Sequence, residues 1–243
     1  AIMKIAGKHN LLVIEDAAQA ICNSYTFSDG TKKALGSIGH LSTFSFHETK
    51  NIISGEGGML AINDSIFYDR AEIIWEKGTN RSAFFKGEVD KYGWVDIGSS
   101  FLPSEIIAAF LWAQLESIQN IQLKRLEIWE TYYNSLEDWA SVNDILLPVI
   151  KDYSTNNAHM FYLVTKTKGQ RVKIIEHLKD NNIGAVFHYL SLHKSDFYRE
   201  KHDGRELIFA DHYSDCLVRL PLFFELTSDD ITRVIETIKE VEF

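Results

Sequence analysis

The residues able to do chemistry gather in two short stretches, VIEDAAQ (13–19) and FSFHETKNIISGEGG (44–58). Lys50 sits between a run that alternates small polar with aromatic side chains and a glycine cluster, Gly55–Gly58. A lysine is by default a solvated surface charge, so its neighbours must argue for anything more. Phosphate binding by a glycine loop does not fit: the order G-x-x-x-x-G-K-[ST] is absent, and the lysine precedes the glycines. No G-x-G-x-x-G follows a strand pattern, which removes the dinucleotide fingerprint. The nine histidines are scattered, with no H-x-x-x-H or C-x-x-C pairing to hold a metal. Packing or local hydrogen bonding is expected for His40, His47, His159, His188 and His193. What remains is an amine at the exit of one strand and a carboxylate, Asp16, at the end of an earlier one. Open α/β sheets gather ligand-binding groups at that end.

The elements that position these groups follow from periodicity. LLVIED (11–16) is a continuous apolar run ending in acids, the pattern of a parallel strand buried on both faces. STFSFH (42–47) and GGMLAIN (57–63) read as further strands, and 64–78 as a helix capped by Asp64 or Ser65 and stopped at Gly78. Residues 79–100 show no period and read as a long ordered loop, of the kind that carries function. From Ser104 a long helical pattern, broken once, suits a connector. Beyond Pro148 the pattern alternates: strands at 159–166, 185–189 and 217–222, helices at 171–182 and 207–216, and a last helix from Thr227 or Ser228. This predicts an α/β chain in two domains, residues 1–125 and 126–243, the second a smaller α+β unit. The opening AIMKIAGKHN reads as the last turns of an amphipathic helix, so a preceding segment is expected.

A lysine amine can condense with the aldehyde of pyridoxal 5'-phosphate while a buried, ionised carboxylate keeps the pyridine nitrogen protonated. The motifs then become specific. VIEDAAQ followed by ALGSIGHLSTFSFHETKNIISGEGGML resembles the DegT/DnrJ/EryC1 sugar aminotransferases, whose signature is D-A-A-Q and then S-F-H-x-x-K-x-x-x-x-G-E-G-G. The stretch from Glu76 to Glu116 is similar to the branch that aminates TDP-4-oxo-6-deoxyglucose to TDP-4-amino-4,6-dideoxygalactose. The resemblance runs through nearly the whole chain to LVRLPLFFELTSDDITRVIETI.

That resemblance implies a fold-type I pyridoxal phosphate-dependent transferase: the C-terminal part of a large mixed-sheet domain, then a smaller α+β domain, with the N-terminal part absent. It implies that Lys50 holds the cofactor and carries protons, that Asp16 pairs with the pyridine nitrogen, that Gln19 reaches the 3-oxygen region and that Ser45 contacts a phosphate oxygen. Ser100 stands where the family has an asparagine from the neighbouring subunit, a shorter donor at the phosphate. His47 and Glu48 carry no assigned role beyond shaping the strand exit. Lysine rather than histidine at position 50 favours amino transfer over dehydration. The implied partners are a nucleotide-diphosphate sugar, glutamate as amino donor, and a second copy in a homodimer with shared active sites. Lys77, Arg81, Lys86, Tyr92 and Trp94 are candidates for the sugar entry. The implied role is surface polysaccharide synthesis, as in lipopolysaccharide or enterobacterial common antigen. Alternatives are a 3-aminotransferase of the same family and a cofactor-free regulatory or scaffold protein on this fold.

Bulk properties agree with a cytoplasmic enzyme. A net charge of −9 argues against nucleic acid or an anionic membrane as partner. No apolar run approaches the roughly 20 residues needed to span a bilayer. Cys22 and Cys216 are expected to be reduced thiols.

Overall fold

The computed structural model describes residues 1–243. In chain order the elements are α1 (Ile2–Lys8), β1 (Ile14–Asp16), β2 (Ser24–Thr26), β3 (Lys32–Ala34), β4 (Leu41–Ser45), β5 (Gly58–Ile62), α2 (Tyr68–Trp75), α3 (Arg81–Phe85), α4 (Glu105–Glu116) and α5 (Ile118–Val142). There follow β6 (Phe161–Val164), α6 (Lys168–Asp180), β7 (Val186–Phe187), α7 (Ile208–Cys216), β8 (Leu217–Leu220) and α8 (Ser228–Lys239). Two compact units emerge. One holds Ala1–Ile121 and Asp152–Asn157; the other holds Gln122–Lys151 and Ala158–Phe243.

In the first unit a mixed sheet runs β1-β4-β5. β1 and β4 are parallel, with Asp16 opposite Thr43, and β4 and β5 are antiparallel, with Ser45 opposite Gly58. The expected strand buried on both faces is not what forms. β1 is three residues long at the sheet edge, and Leu11, Leu12 and Ile14 are 57 %, 60 % and 63 % exposed. Strand side chains point to the faces of a sheet, and no element of residues 1–243 covers the faces at Leu11, Leu12 and Ile14. The antiparallel hairpin β2-β3 was not visible in the sequence, since SYT and KKA carry no alternation to mark a strand. A small apolar cluster of Phe46, Ile52 and Ile121, with Phe44, Leu111 and Ile118 against it, fastens the exit of β4 to the start of the long helical stretch.

The 64–78 helix is entered through a tight turn at Ser65–Phe67, where the Asp64 carboxylate accepts from the Ile66 amide at 3.1 Å. Part of the expected loop 79–100 is helical: α3 occupies Arg81–Phe85, and bridges Glu76–Ser100 and Thr79–Trp94 tie the rest down. The expected break in the long helical pattern falls at Ser117, between α4 and α5, and Ser104 caps α4 by accepting from Ile107 N.

The second unit has an antiparallel sheet ordered β6-β8-β7. One side of α5 presents Ile128, Tyr132, Leu136 and Ala140, spaced by four residues and essentially fully buried. They meet Phe161, Leu163 and Val218 of the sheet, Ile174 and Leu178 of α6, and Ile231, Val234, Ile235 and Ile238 of α8 in one core. Burying each such aliphatic side chain contributes about 1.5–3 kcal/mol. α6 and α8 both begin with reciprocal capping boxes, Thr167 with Gln170 and Thr227 with Asp230. The Arg125 side chain, 5 % exposed, donates to the Ala158 and His159 carbonyls at 3.1 and 2.7 Å, and burial lowers its pKa to about 10.

His188, just past β7, is held below its ordinary pKa of 6.5 by burial and then by the charge of Arg219. The unfolded chain therefore binds this proton first, and stability is lost as pH falls through 6.5 toward the folded value. Thermal melts at about pH 7.5 and about pH 5.5 should show a smaller acid-induced drop in Tm for His188→Gln than for the parent. An equal drop in both proteins contradicts the assignment.

Candidate active site

The site is built on the C-terminal ends of β1 and β4. Because the two strands are parallel and in register, the chain leaves the sheet after Asp16 and after Ser45 on the same edge. The Ala17 amide donates to the Thr43 carbonyl at 2.9 Å, so this pairing holds to the last residue.

Two acids stand side by side on β1, and successive residues of a strand face opposite ways. Glu15 is consumed by the fold: its carboxylate accepts from the amides of Gly36, Ile38 and Gly39 at 3.0, 2.7 and 2.6 Å, holding the 36–39 turn. Asn63 Nδ2 and Ser42 Oγ secure the carbonyls of the same turn. Asp16 is different. Its carboxylate accepts one bond, from the Ala18 amide at 3.1 Å, and enters no ion pair, so an oxygen is left to receive a proton or a cation.

Lys50 lies in the excursion that joins β4 to β5. Bonds from Phe46 N to the Gly57 carbonyl, Glu48 N to Gly55 and Ser54 N to Phe46 close that excursion, and Lys50 N donates to the His47 carbonyl at 2.9 Å. His47 Nδ1 accepts from the Thr49 amide at 3.2 Å, which gives this histidine a role in shaping the turn. The next two residues anchor the turn: Asn51 is 5 % exposed and Ile52 fully buried. The Lys50 ammonium itself makes no hydrogen bond or ion pair. The glycines behind it serve close packing. A Cβ at Gly58 would lie 2.8 Å from the Phe44 carbonyl oxygen, and at Gly57, where φ is +152°, 2.7 Å from Ser54 Oγ.

Ser45 Oγ accepts from the His47 amide at 3.4 Å. Gln19 is fixed through its backbone carbonyl, which accepts from Asn157 Nδ2 at 2.8 Å, leaving its exposed side-chain amide to a ligand. Ser100 belongs to a different part of the unit, in the bridge with Glu76. Among the candidates for substrate entry, Arg81 pairs with Glu76 at 3.0 Å and Lys86 with Glu72 at 2.8 Å. Tyr92 packs on Phe84 with ring centres 5.6 Å apart, and Trp94 is 82 % exposed with its indole N–H on the Asp96 carbonyl. Lys77 keeps an unpaired charge, on a backbone with φ of +62°. No group of three or more His, Cys, Asp or Glu residues could hold a metal ion.

The decisive comparison is with family models: residues 1–239 match that of the DegT/DnrJ/EryC1/StrS aminotransferase family. The chain belongs to this family. Among relatives, it is 30 % identical to the GDP-perosamine synthase of Escherichia coli O157:H7, over 98 % of this chain and 60 % of that protein. It therefore spans about three fifths of the length of such relatives. Solved aminotransferase structures share its mixed α/β fold. The aminotransferase from Psychrobacter cryohalolentis superposes with a TM-score of 0.87 at 23 % identity, covering 99 % of this chain and 64 % of that one. The sugar aminotransferase Spr1654 of Streptococcus pneumoniae, in its PLP-form, superposes with a TM-score of 0.80 at 20 % identity, covering 95 % and 57 %. A PMP-form of Spr1654 matches equally well, with a TM-score of 0.80. No helix of the chain is long and apolar enough to cross a membrane.

Proposed function

We propose that the protein is a pyridoxal phosphate-dependent transaminase that converts a nucleotide-linked 4-keto-6-deoxy sugar to its 4-amino sugar, with glutamate as donor. The observation that carries this reading is the parallel pairing of β1 with β4, which brings an unpaired carboxylate and a lysine-bearing turn to one sheet edge. The donor set fits the cofactor in kind: an amine without a partner, an acid with spare acceptor capacity, and hydroxyl and amide groups at Ser45 and Gln19. When bound, pyridoxal phosphate supplies an aldehyde that condenses with amines and a ring that draws electrons from the substrate carbon.

The chain's own residues do the rest. Asp16 would pair with the ring nitrogen through its free carboxylate oxygen, since an anion beside a cationic heterocycle favours the charged form. Lys50 would hold the cofactor through Nζ and is the base that would carry a proton at the reacting carbon. Ser45 donates to the phosphate, and Gln19 hydrogen-bonds the ring oxygen. Ser100 donates to the phosphate of a neighbouring subunit. We assign it a homodimer with shared sites, in which exposed apolar side chains of the first unit such as Trp94, Ile97 and Trp112 would find cover. We assign it a fold-type I architecture, a cytoplasmic location and a role in making the amino sugar of a surface polysaccharide.

The test is product analysis. Incubated with pyridoxal phosphate, glutamate and a TDP-linked 4-keto or 3-keto sugar, the protein should yield the 4-amino sugar, identified by NMR. Amination of the 3-keto sugar alone would transfer the reading to a 3-aminotransferase. Absence of any cofactor band would leave a scaffold protein.

A further inference from the structure

The segment Tyr153–Thr155 lies far from β2 in sequence and pairs with it. Thr26 N donates to the Tyr153 carbonyl at 2.7 Å, Thr155 N to the Ser24 carbonyl at 3.1 Å, and Ser24 N to Thr155 Oγ1 at 2.8 Å. Tyr25 and Ser154 form the antiparallel bridge between them. The segment thus acts as a strap whose register is fixed, and two residues further on it delivers Asn157 into the unit interior at 4 % exposure.

Asn157 meets both halves of the candidate site. Its side-chain amide donates to the carbonyls of Gln19 and Ile21 at 2.8 and 2.9 Å, in the turn that follows Asp16. Its backbone carbonyl accepts from Asn51 Nδ2 at 2.7 Å, and Asn51 is the residue after Lys50. A buried amide with satisfied bonds is costly to disturb, and both asparagines are buried. The DAAQ turn itself is held by local bonds, Ala20 N to Ala17 and Asn23 N to Ala20. Nothing in that local pattern sets its distance from the lysine turn.

We infer that Asn157, with Asn51 as its counterpart, is a positioning residue that fixes the spacing between the Asp16 turn and the Lys50 turn. The catalytic part of this inference rests on the transaminase reading above. Asn157 touches neither substrate nor cofactor; it acts through the two backbones it joins. A reacting group misplaced by an ångström or so can cost about 100-fold in rate, which makes such a clamp matter beyond folding.

The test uses the 243-residue chain and two variants, Asn157→Ala and Asn51→Ala, with two readouts. The first is hydrogen exchange of the cofactor-free proteins. Asn157→Ala should speed exchange in peptides covering residues 17–23 by about tenfold or more, and Asn51→Ala should do so in peptides covering 47–54. The second is steady-state kinetics. Each variant should lower kcat by about 10- to 100-fold while leaving KM for the sugar within about twofold, the split expected when alignment rather than binding is lost. Unchanged exchange, or faster exchange with kcat kept within about twofold of the parent, overturns the inference. Should Asn157→Ala not fold, Asn51→Ala decides, because it leaves both side-chain bonds of Asn157 in place. A parent protein that loads no cofactor removes the transaminase reading and the catalytic half of this inference, while exchange still judges whether the strap joins the two turns.

Discussion

Lys50→Ala should abolish transamination, lowering turnover by at least about four orders of magnitude, the scale seen when a covalent catalytic group is removed. The same variant should lose the absorbance band of covalently held cofactor and any borohydride-stable attachment, yet fold normally. The reasons are local. The Lys50 side chain makes no hydrogen bond or ion pair, so its removal leaves no partner unsatisfied. The turn is held instead by its backbone bond to His47, by Asn51 and by buried Ile52. Absorbance titration, borohydride reduction and a thermal melt check all three points. A Lys50→Ala protein that still transaminates at more than a few per cent of the parent rate would remove lysine from the mechanism.

Asp16→Asn should load cofactor but turn over about 100- to 1,000-fold more slowly, the cost of removing one preorganised electrostatic contact from a developing charge. The amide keeps the size of the carboxylate and can still accept the Ala18 N–H, so the turn after β1 should survive. What it loses is the negative charge that keeps a ring nitrogen protonated. Stopped-flow measurement of the half-reaction with glutamate isolates this step from substrate binding. Glu15→Gln is the informative contrast. It weakens the bonds to Gly36, Ile38 and Gly39, so its deficit should appear as lost stability, with kcat of the folded fraction little changed. If Glu15→Gln stopped catalysis and Asp16→Asn did not, the two acids would have been assigned the wrong way round.

How far the sequence reached differs from element to element. α5 and α8 were legible because a helix repeats every 3.6 residues, and a buried face such as Ile128, Tyr132, Leu136 and Ala140 leaves that period in the chain. The start of the last helix at Thr227 or Ser228 was legible from local capping chemistry, and Thr227 is the cap that forms. β1 differs from the expectation: an apolar run signals burial, whereas exposure depends on what packs over the sheet faces, and residues 1–243 leave Leu11, Leu12 and Ile14 uncovered. The hairpin β2-β3 was missed because its strands are three residues each and mostly polar.

Within the candidate site, motif spacing picked out Asp16, Gln19, Ser45 and Lys50. It did not say that Glu15 is occupied by three backbone amides, since two adjacent acids look alike in a string and differ only in the face they take. Nor did it reveal Asn157. Its bonds to Gln19 and Ile21 span 138 and 136 residues, and its link to Asn51 spans 106. No local pattern encodes a contact at that range; only the pairing of Tyr153–Thr155 with β2 brings it about.

The central claim is that one lysine among many is the cofactor's anchor. The most direct measurement is to load the protein with pyridoxal phosphate, reduce with borohydride, digest, and locate the modified residue by mass spectrometry. The account predicts a single stoichiometric modification, on the peptide containing Lys50. Modification spread over surface lysines, or concentrated on Lys77 or any other single lysine, would contradict it.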